Sequence, residues 1–193
     1  MTGCKPLTDK EIQGILKSFK GKYANRDRCL FILGLKAGFR ISELLSLTIG
    51  DVLQFGEVVD SVTVQRKNMK GKQRSRTVPL HNEAKQAIRK WIDELNELGY
   101  SNKDDYLFQS QKSGNHSINR QQAHNILKKI VNECKIKGKV STHSMRKTFA
   151  SSMYDKLDGN IFKVKEAMGH VSVNSTVSYL SFKQDEIDNA ILS

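Results

Sequence analysis

The chain has 193 residues, 38% of them hydrophobic and 27% charged, which suits one domain with an apolar core and excludes a disordered chain. A formal charge of +12 and a pI of about 9.6 point to a polyanionic partner, nucleic acid foremost. The most apolar stretch, Cys29 to Leu35, is too short to span a bilayer, no basic amphipathic helix with a broad aromatic face stands out, and Met1-Thr2-Gly3-Cys4-Lys5 lacks the apolar core of a signal peptide.

In chain order, Thr8-x-x-Glu11 forms a capping-box pattern ahead of Ile12, Ile15, Leu16 and Phe19 at helical spacing. A second helix is expected from about Asp27 to Ala37, apolar nearly all round and therefore central. Gly38 ends it, and Ser42 begins a short third helix with Leu44, Leu45 and Leu47. The period then changes. Val58, Val59, Val62, Thr63 and Val64 make one β-rich run and Thr77-Val78 another, with the basic turn Arg66 to Arg74 between them and Pro79 closing the second strand. Ala84, Ala87, Ile88, Trp91, Ile92, Leu95 and Leu98 trace an amphipathic helix ending near Gly99. Tyr106-Leu107-Phe108 reads as a brief extended piece and Ser113-Gly114-Asn115 as a turn. Ala123 to Cys134 and Arg146 to Leu157 mark two further helices, and shorter ones run from about Ile161 to Met168 and Val173 to Leu180. A polar tail follows from Lys183. The expected class is α+β, mainly helical, with a small antiparallel sheet or hairpin, in a single domain over 1–193 with its core at about 7–180 and its tail at 183–193.

Three segments carry candidate chemistry. In Ser141-Thr142-His143-Ser144-Met145-Arg146, Ser141 or Thr142 is the expected N-cap, which sets His143 and Arg146 on one face of the first turns. Arg146 continues the apolar stripe of Phe149, Ala150 and Met153, so it points to the core or a cleft. A guanidinium and an imidazole at a helix N-terminus suit a phosphate; the plainer reading is a surface arginine and a capping histidine. In Met168-Gly169-His170, Gly169 is the expected helix C-cap and His170 lies in a tight turn, with Tyr179 on the following short helix. A core tyrosine with one hydrogen bond is the plainer alternative there. Arg40, in the apolar corner Ala37-Gly38-Phe39-Arg40-Ile41-Ser42-Glu43, needs a strong partner, either Glu43 or a ligand phosphate.

Taken together, these segments resemble the tyrosine recombinases, the phage-integrase family that includes Xer-type enzymes. Gly34 to Leu47 resembles the family's first box, and His143-Ser144-Met145-Arg146-Lys147-Thr148-Phe149-Ala150 its H-x-x-R box. Met168-Gly169-His170 through Tyr179 resembles its G-H…Y box, and the hairpin ending in Arg76-Thr77-Val78-Pro79-Leu80 the segment with its catalytic lysine. The likeness runs from about Leu7 to Leu180.

The resemblance implies a site-specific DNA recombinase or integrase that cleaves and rejoins double-stranded DNA through a 3′-phosphotyrosyl intermediate. Tyr179 is then the nucleophile, Arg40 and Arg146 clamp the non-bridging oxygens, His143 assists deprotonation of Tyr179, and His170 donates a further hydrogen bond. Lys70, with Lys72 as the alternative, protonates the leaving 5′-oxygen. Lys67, Lys72, Arg74, Arg76 and Lys147 are expected at DNA phosphates. The sequence shows no acidic metal cluster, and Cys4, Cys29 and Cys134 are odd in number with no ligand spacing, so no metal, cofactor or disulfide is expected and a reducing cytoplasm fits. Cys29 and Cys134 are expected in the core. The boxes begin almost at Met1, without room for the N-terminal core-binding domain common in the family. A truncated chain or a short member, such as a fimbrial phase-variation recombinase, accounts for that. The tail, with Ile187, Ile191 and Leu192, suits packing on a neighbouring protomer, as in a tetramer on DNA, with accessory DNA-binding proteins as further partners and no membrane. Two alternatives share much of this: a type IB topoisomerase-like relaxing enzyme, and a catalytically idle DNA-binding regulator of the same fold.

Overall fold

Apolar side chains at helical spacing build most of this structure, a computed structural model that describes residues 3–64, 75–112, 114–180 and 191–193. Helix α1, Asp9–Ser18, opens with the expected capping box: Glu11 N donates to Thr8 Oγ1 at 3.3 Å and Thr8 N to Glu11 Oε2 at 2.9 Å. Helix α2, Ala24–Lys36, starts earlier than its apolar run suggests, because a turn at Gly21 (Ala24 N to Gly21 O, 3.0 Å) nucleates it ahead of Asp27. Buried from Cys29 through Leu35, it is the central helix and packs on α5 and α7.

Two short helices follow, α3 (Ile41–Leu44) and α4 (Ile49–Val52). The first begins at Ile41 rather than Ser42, since Arg40 serves as N-cap. The second went unread: four residues carry no periodicity, and its start is signalled only by Thr48, which donates to the Asp51 carboxylate.

The β-rich run divides. Strand β1 (Leu53–Gln54) pairs antiparallel with β2 (Glu57–Val58), and β3 (Ser61–Val64) pairs antiparallel with β4 (Arg76–Pro79) from Ser61↔Pro79 to Val64↔Arg76. The break falls at Val59 and Asp60, whose main chain bonds elsewhere: Val59 N to Val52 O at 3.0 Å, Asp60 O from Leu80 N at 2.8 Å. The expected basic turn lies outside the described residues.

Helix α5 (Asn82–Glu97) buries Ala84, Ile88, Trp91, Ile92 and Leu95, and the Trp91 indole donates to Leu107 O at 2.6 Å. That bond fixes the extended piece at Tyr106 to Phe108, which bridges Thr48. Helix α6 is Arg120–Glu133, α7 Thr142–Lys156, α8 Ile161–Met168 and α9 Val173–Val177. The α+β class, mainly helical with small antiparallel pairs, is what the element order implied. Among the described residues no helix is long and apolar enough to cross a membrane. Cys29 is fully buried, whereas Cys134, expected in the core, is only half-buried, with Sγ 3.1 Å from Ser18 Oγ.

Among the described residues the core has three apolar clusters. The largest joins α2, α3, α5 and β3–β4, a second joins α1, α6 and the start of α7, and a third joins α7, α8 and Leu180. Four pieces of chain converge where these clusters meet: the α2–α3 corner, the start of β4, α7, and the α8–α9 turn.

Candidate active site

The α2–α3 corner turns on Gly38, at φ +59°, where an added Cβ would lie 2.2 Å from Phe149 Cδ1. The left-handed turn therefore presses directly on α7, and only glycine fits. Two residues on, Arg40 is tied to Glu43 twice: its backbone N donates to Oε2 at 2.7 Å and its Nη1 to Oε1 at 2.7 Å. Glu43 is fully buried, so the ion pair named from sequence is present and fixes the guanidinium against α3.

Helix α7 starts at Thr142 with Ser141 as N-cap, accepting from His143 N at 3.3 Å. Arg146 is 2% exposed, as its apolar stripe required. Its Nη1 donates to Gly38 O and its Nη2 to Met168 O at 2.7 Å, while the same Nη2 lies 2.9 Å from His170 Nε2. Burial first, then the charges of Arg40 and Arg76, lower its pKa to about 10, which leaves it cationic at neutral pH. His143 is exposed. Partial loss of hydration and then the charges of Arg146, Arg120 and Lys147 hold its imidazole below the usual histidine range.

The C-terminus of α8 supplies the opposite wall. Gly169 caps it in the left-handed region at φ +61°, as the sequence suggested. The carbonyls of its last turn all find donors: Lys165 O takes His170 N at 3.0 Å, Glu166 O takes Gly169 N at 2.9 Å, Ala167 O takes Arg76 Nη2 at 2.7 Å, and Met168 O takes Arg146 Nη2. Two guanidiniums thus sit at the negative end of a helix, where cations are favoured.

Arg76 is the second of these guanidiniums. Expected at a DNA phosphate, its side chain turns inward and donates from Nη2 to Ala37 O at 3.0 Å as well as to Ala167 O. Its Cζ lies 5.6 Å from the centre of the Phe39 ring. The cause is strand alternation: Arg76 shares a face of β4 with buried Val78. Burial lowers its pKa to about 10. Among the described residues, Arg76 Nη1 and Arg146 Nε are buried donors without a partner.

His170 is 7% exposed, with Nδ1 2.9 Å from Thr176 Oγ1. An arginine can only donate, so Nε2 accepts from Arg146, and the proton of the neutral ring sits on Nδ1 and is donated to Thr176. Burial, then Arg146, Arg40 and Arg76, lower the pKa of His170 to about 3. In this arrangement the ring N–H is donated to Thr176, and Nε2 receives the Arg146 guanidinium. Tyr179 was expected on α9, but the helix ends at Val177 because the chain tightens: Tyr179 N donates to Thr176 O at 2.9 Å. The half-buried Tyr179 ring lies 5.3 Å from that of His170, centre to centre, and 5.5 Å from Arg146 Cζ.

Arg40, Arg146, His170 and Tyr179 are thus brought together, with His143 on the same helix as Arg146. Lys147, the next residue on α7, is half-buried, and a Cβ at Gly3 would lie 3.7 Å from its Nζ. Lys67, Lys70, Lys72 and Arg74 lie outside the described residues. Sequence reasoning missed Thr176, although Val173, Thr176 and Leu180 share a helical face, and it missed the inward turn of Arg76, which the spacing to Val78 signals. Among the described residues the cluster holds three guanidiniums, Arg40, Arg76 and Arg146, against the single carboxylate of Glu43. It can bind an oxyanion beside a phenol.

A family model described as the phage integrase family matches residues 5–186. Tyrosine recombinase XerD of Corynebacterium glutamicum is 32% identical over 162 residues, covering 84% of this chain and 50% of that protein. The probable integrase/recombinase YoeC of Bacillus subtilis is 28% identical over 181 residues, covering 94% of this chain and 91% of that protein. The XerH site-specific recombinase bound to palindromic difH substrate, in a post-cleavage complex, superposes with a TM-score of 0.77 at 25% identity, over 98% of this chain and 53% of that one. The chain spans about half the length of the XerD and XerH proteins it matches.

Proposed function

The chain belongs to the phage integrase family, and from that premise we propose that it is the catalytic part of a site-specific recombinase that breaks and rejoins double-stranded DNA through Tyr179. The observation that carries this reading is the unbalanced charge around the phenol: among the described residues, three guanidiniums and one carboxylate, with Arg146 Cζ 5.5 Å from the Tyr179 ring. A phosphodiester supplies the missing negative charge, and oriented donors stabilise it most where charge grows during attack.

In this reading the Tyr179 oxygen attacks phosphorus, and its proton passes to His143, whose depressed pKa leaves the imidazole free to accept it. The bond to the 5′-oxygen breaks, a 3′-phosphotyrosyl bond forms, and Lys70 or Lys72 gives the leaving oxygen its proton. Arg40 and Arg146 hold the non-bridging oxygens, while His170 orients Arg146 rather than touching phosphate. Attack by the 5′-hydroxyl of another strand reverses each step, and no external energy source is needed. The XerH complex is with its difH substrate; duplex DNA as partner here, assembly as a tetramer, and residence in the cytoplasm belong to the same proposal.

The test is incubation with supercoiled plasmid in EDTA, followed by denaturation. Wild type is expected to leave relaxed DNA and a protein–DNA adduct, and Tyr179→Phe neither, with duplex affinity unchanged. An adduct that survives Tyr179→Phe sinks the assignment. A biological effect that survives it favours the idle regulator instead. Deleting residues 184 to 193 is expected to lower the assembly state on DNA, read by light scattering.

A further inference from the structure

We infer that Arg76 is a positioning residue for the reaction centre, a main-chain staple that aligns Arg146 and His170 rather than a DNA contact. The inference rests on the reading of Tyr179, Arg146 and His170 as that centre. Arg76 Nη2 joins Ala37 O at 3.0 Å to Ala167 O at 2.7 Å. Arg146 joins the next residue of each turn, Gly38 O to Met168 O. The two side chains therefore span the same pair of turns in adjacent registers, and the spacing set by one is the spacing offered to the other.

Two further contacts and its place in the chain point the same way. The Arg76 stem passes over Gly169, where an added Cβ would lie 2.6 Å from Arg76 Cδ, so it packs on the residue just before His170. The guanidinium lies against Phe39, next to Arg40. Arg76 also pairs with Val64 at the start of β4, directly after the segment that carries Lys70 and Lys72. From the strand that follows the lysines, its side chain thus touches the turn before His170 and the corner before Arg40. As packing alone it is a poor choice: the cation is buried and, among the described residues, Nη1 has no partner, an arrangement that stability by itself disfavours. Lysine is shorter, has no planar face to lay on Phe39, and cannot replace it.

Arg76→Lys and Arg76→Met are compared with wild type in the full chain by three readings. These are affinity for a short non-specific duplex, the rate of adduct formation with supercoiled plasmid at saturating protein, and the ring ¹⁵N signals of His170 without DNA. Unchanged affinity is expected in Arg76→Lys, which keeps the charge, with adduct formation slowed by about 100-fold in both variants, the penalty of a small misplacement. The His170 signals are expected to leave the pattern of a ring protonated at Nδ1 alone. Weakened affinity at an unchanged adduct rate makes Arg76 a phosphate contact and overturns the inference. Unaltered His170 signals in both variants overturn it too. If wild type binds duplex but forms no adduct, strand cleavage through Tyr179 fails on that substrate, while the His170 signals still decide the role of Arg76.

Discussion

His170 shows how a single side chain is set by its surroundings. Burial and three arginines hold its pKa at about 3, against 6.5 for an ordinary histidine. The unfolded chain therefore takes up this proton first on acidification, so the contribution is complete above about pH 6.5 and is lost as the pH falls towards 3. His143, lowered in the same direction, adds to the trend. The urea midpoint is expected to drop between pH ~7 and pH ~5, and to drop less in His170→Gln. Thr176→Val removes the acceptor of the ring N–H; it is expected to cost about 1–3 kcal/mol in urea unfolding, the penalty of a buried donor left unpaired, and to slow adduct formation. The polar residues of this site were legible where they interrupt apolar sequence, as Arg40 and Arg146 do. Arg76 was not, because it closes a run of basic residues in which composition cannot tell an inward cation from an outward one.

At the level of elements, the site depends on two left-handed turns, at Gly38 and Gly169. Gly38→Ala forces an unfavourable φ and drives a methyl into the Phe149 ring, so it is expected to cost about 3 kcal/mol or more, measured by urea unfolding. Adduct formation should fall as well, since Gly38 O is a handhold of Arg146. The long helices were readable from period alone: α5 buries Ala84, Ile88, Trp91, Ile92 and Leu95 as spaced. Short elements were not. Strands β1 and β2 have two residues each, too few to show alternation, and the split at Val59 and Asp60 depends on partners distant in sequence. Tyr179 was assigned to a helix for the same reason, because a tight turn after Val177 leaves the apolar spacing unchanged.

For the whole molecule, the +12 charge predicts strongly salt-dependent duplex binding. With about six phosphate contacts, affinity should fall by about a thousand-fold between roughly 50 and 200 mM salt, read by anisotropy. A flat salt response would detach the charge from DNA binding altogether. The class was legible because the order of helical and β-rich segments constrains it; the convergence of four distant pieces of chain was not, because it depends on contacts rather than on spacing. Those contacts have a further consequence. Arg76 and Arg146 grip carbonyl oxygens at residues 37, 38, 167 and 168, and every amino acid carries the same oxygen. The grip is therefore written in the path of the backbone and not in the letters at those positions. Two chains could differ at residues 37, 167 and 168 and still hold their arginines identically, so kinship of this kind is found by superposing shapes and is invisible to a spelling comparison.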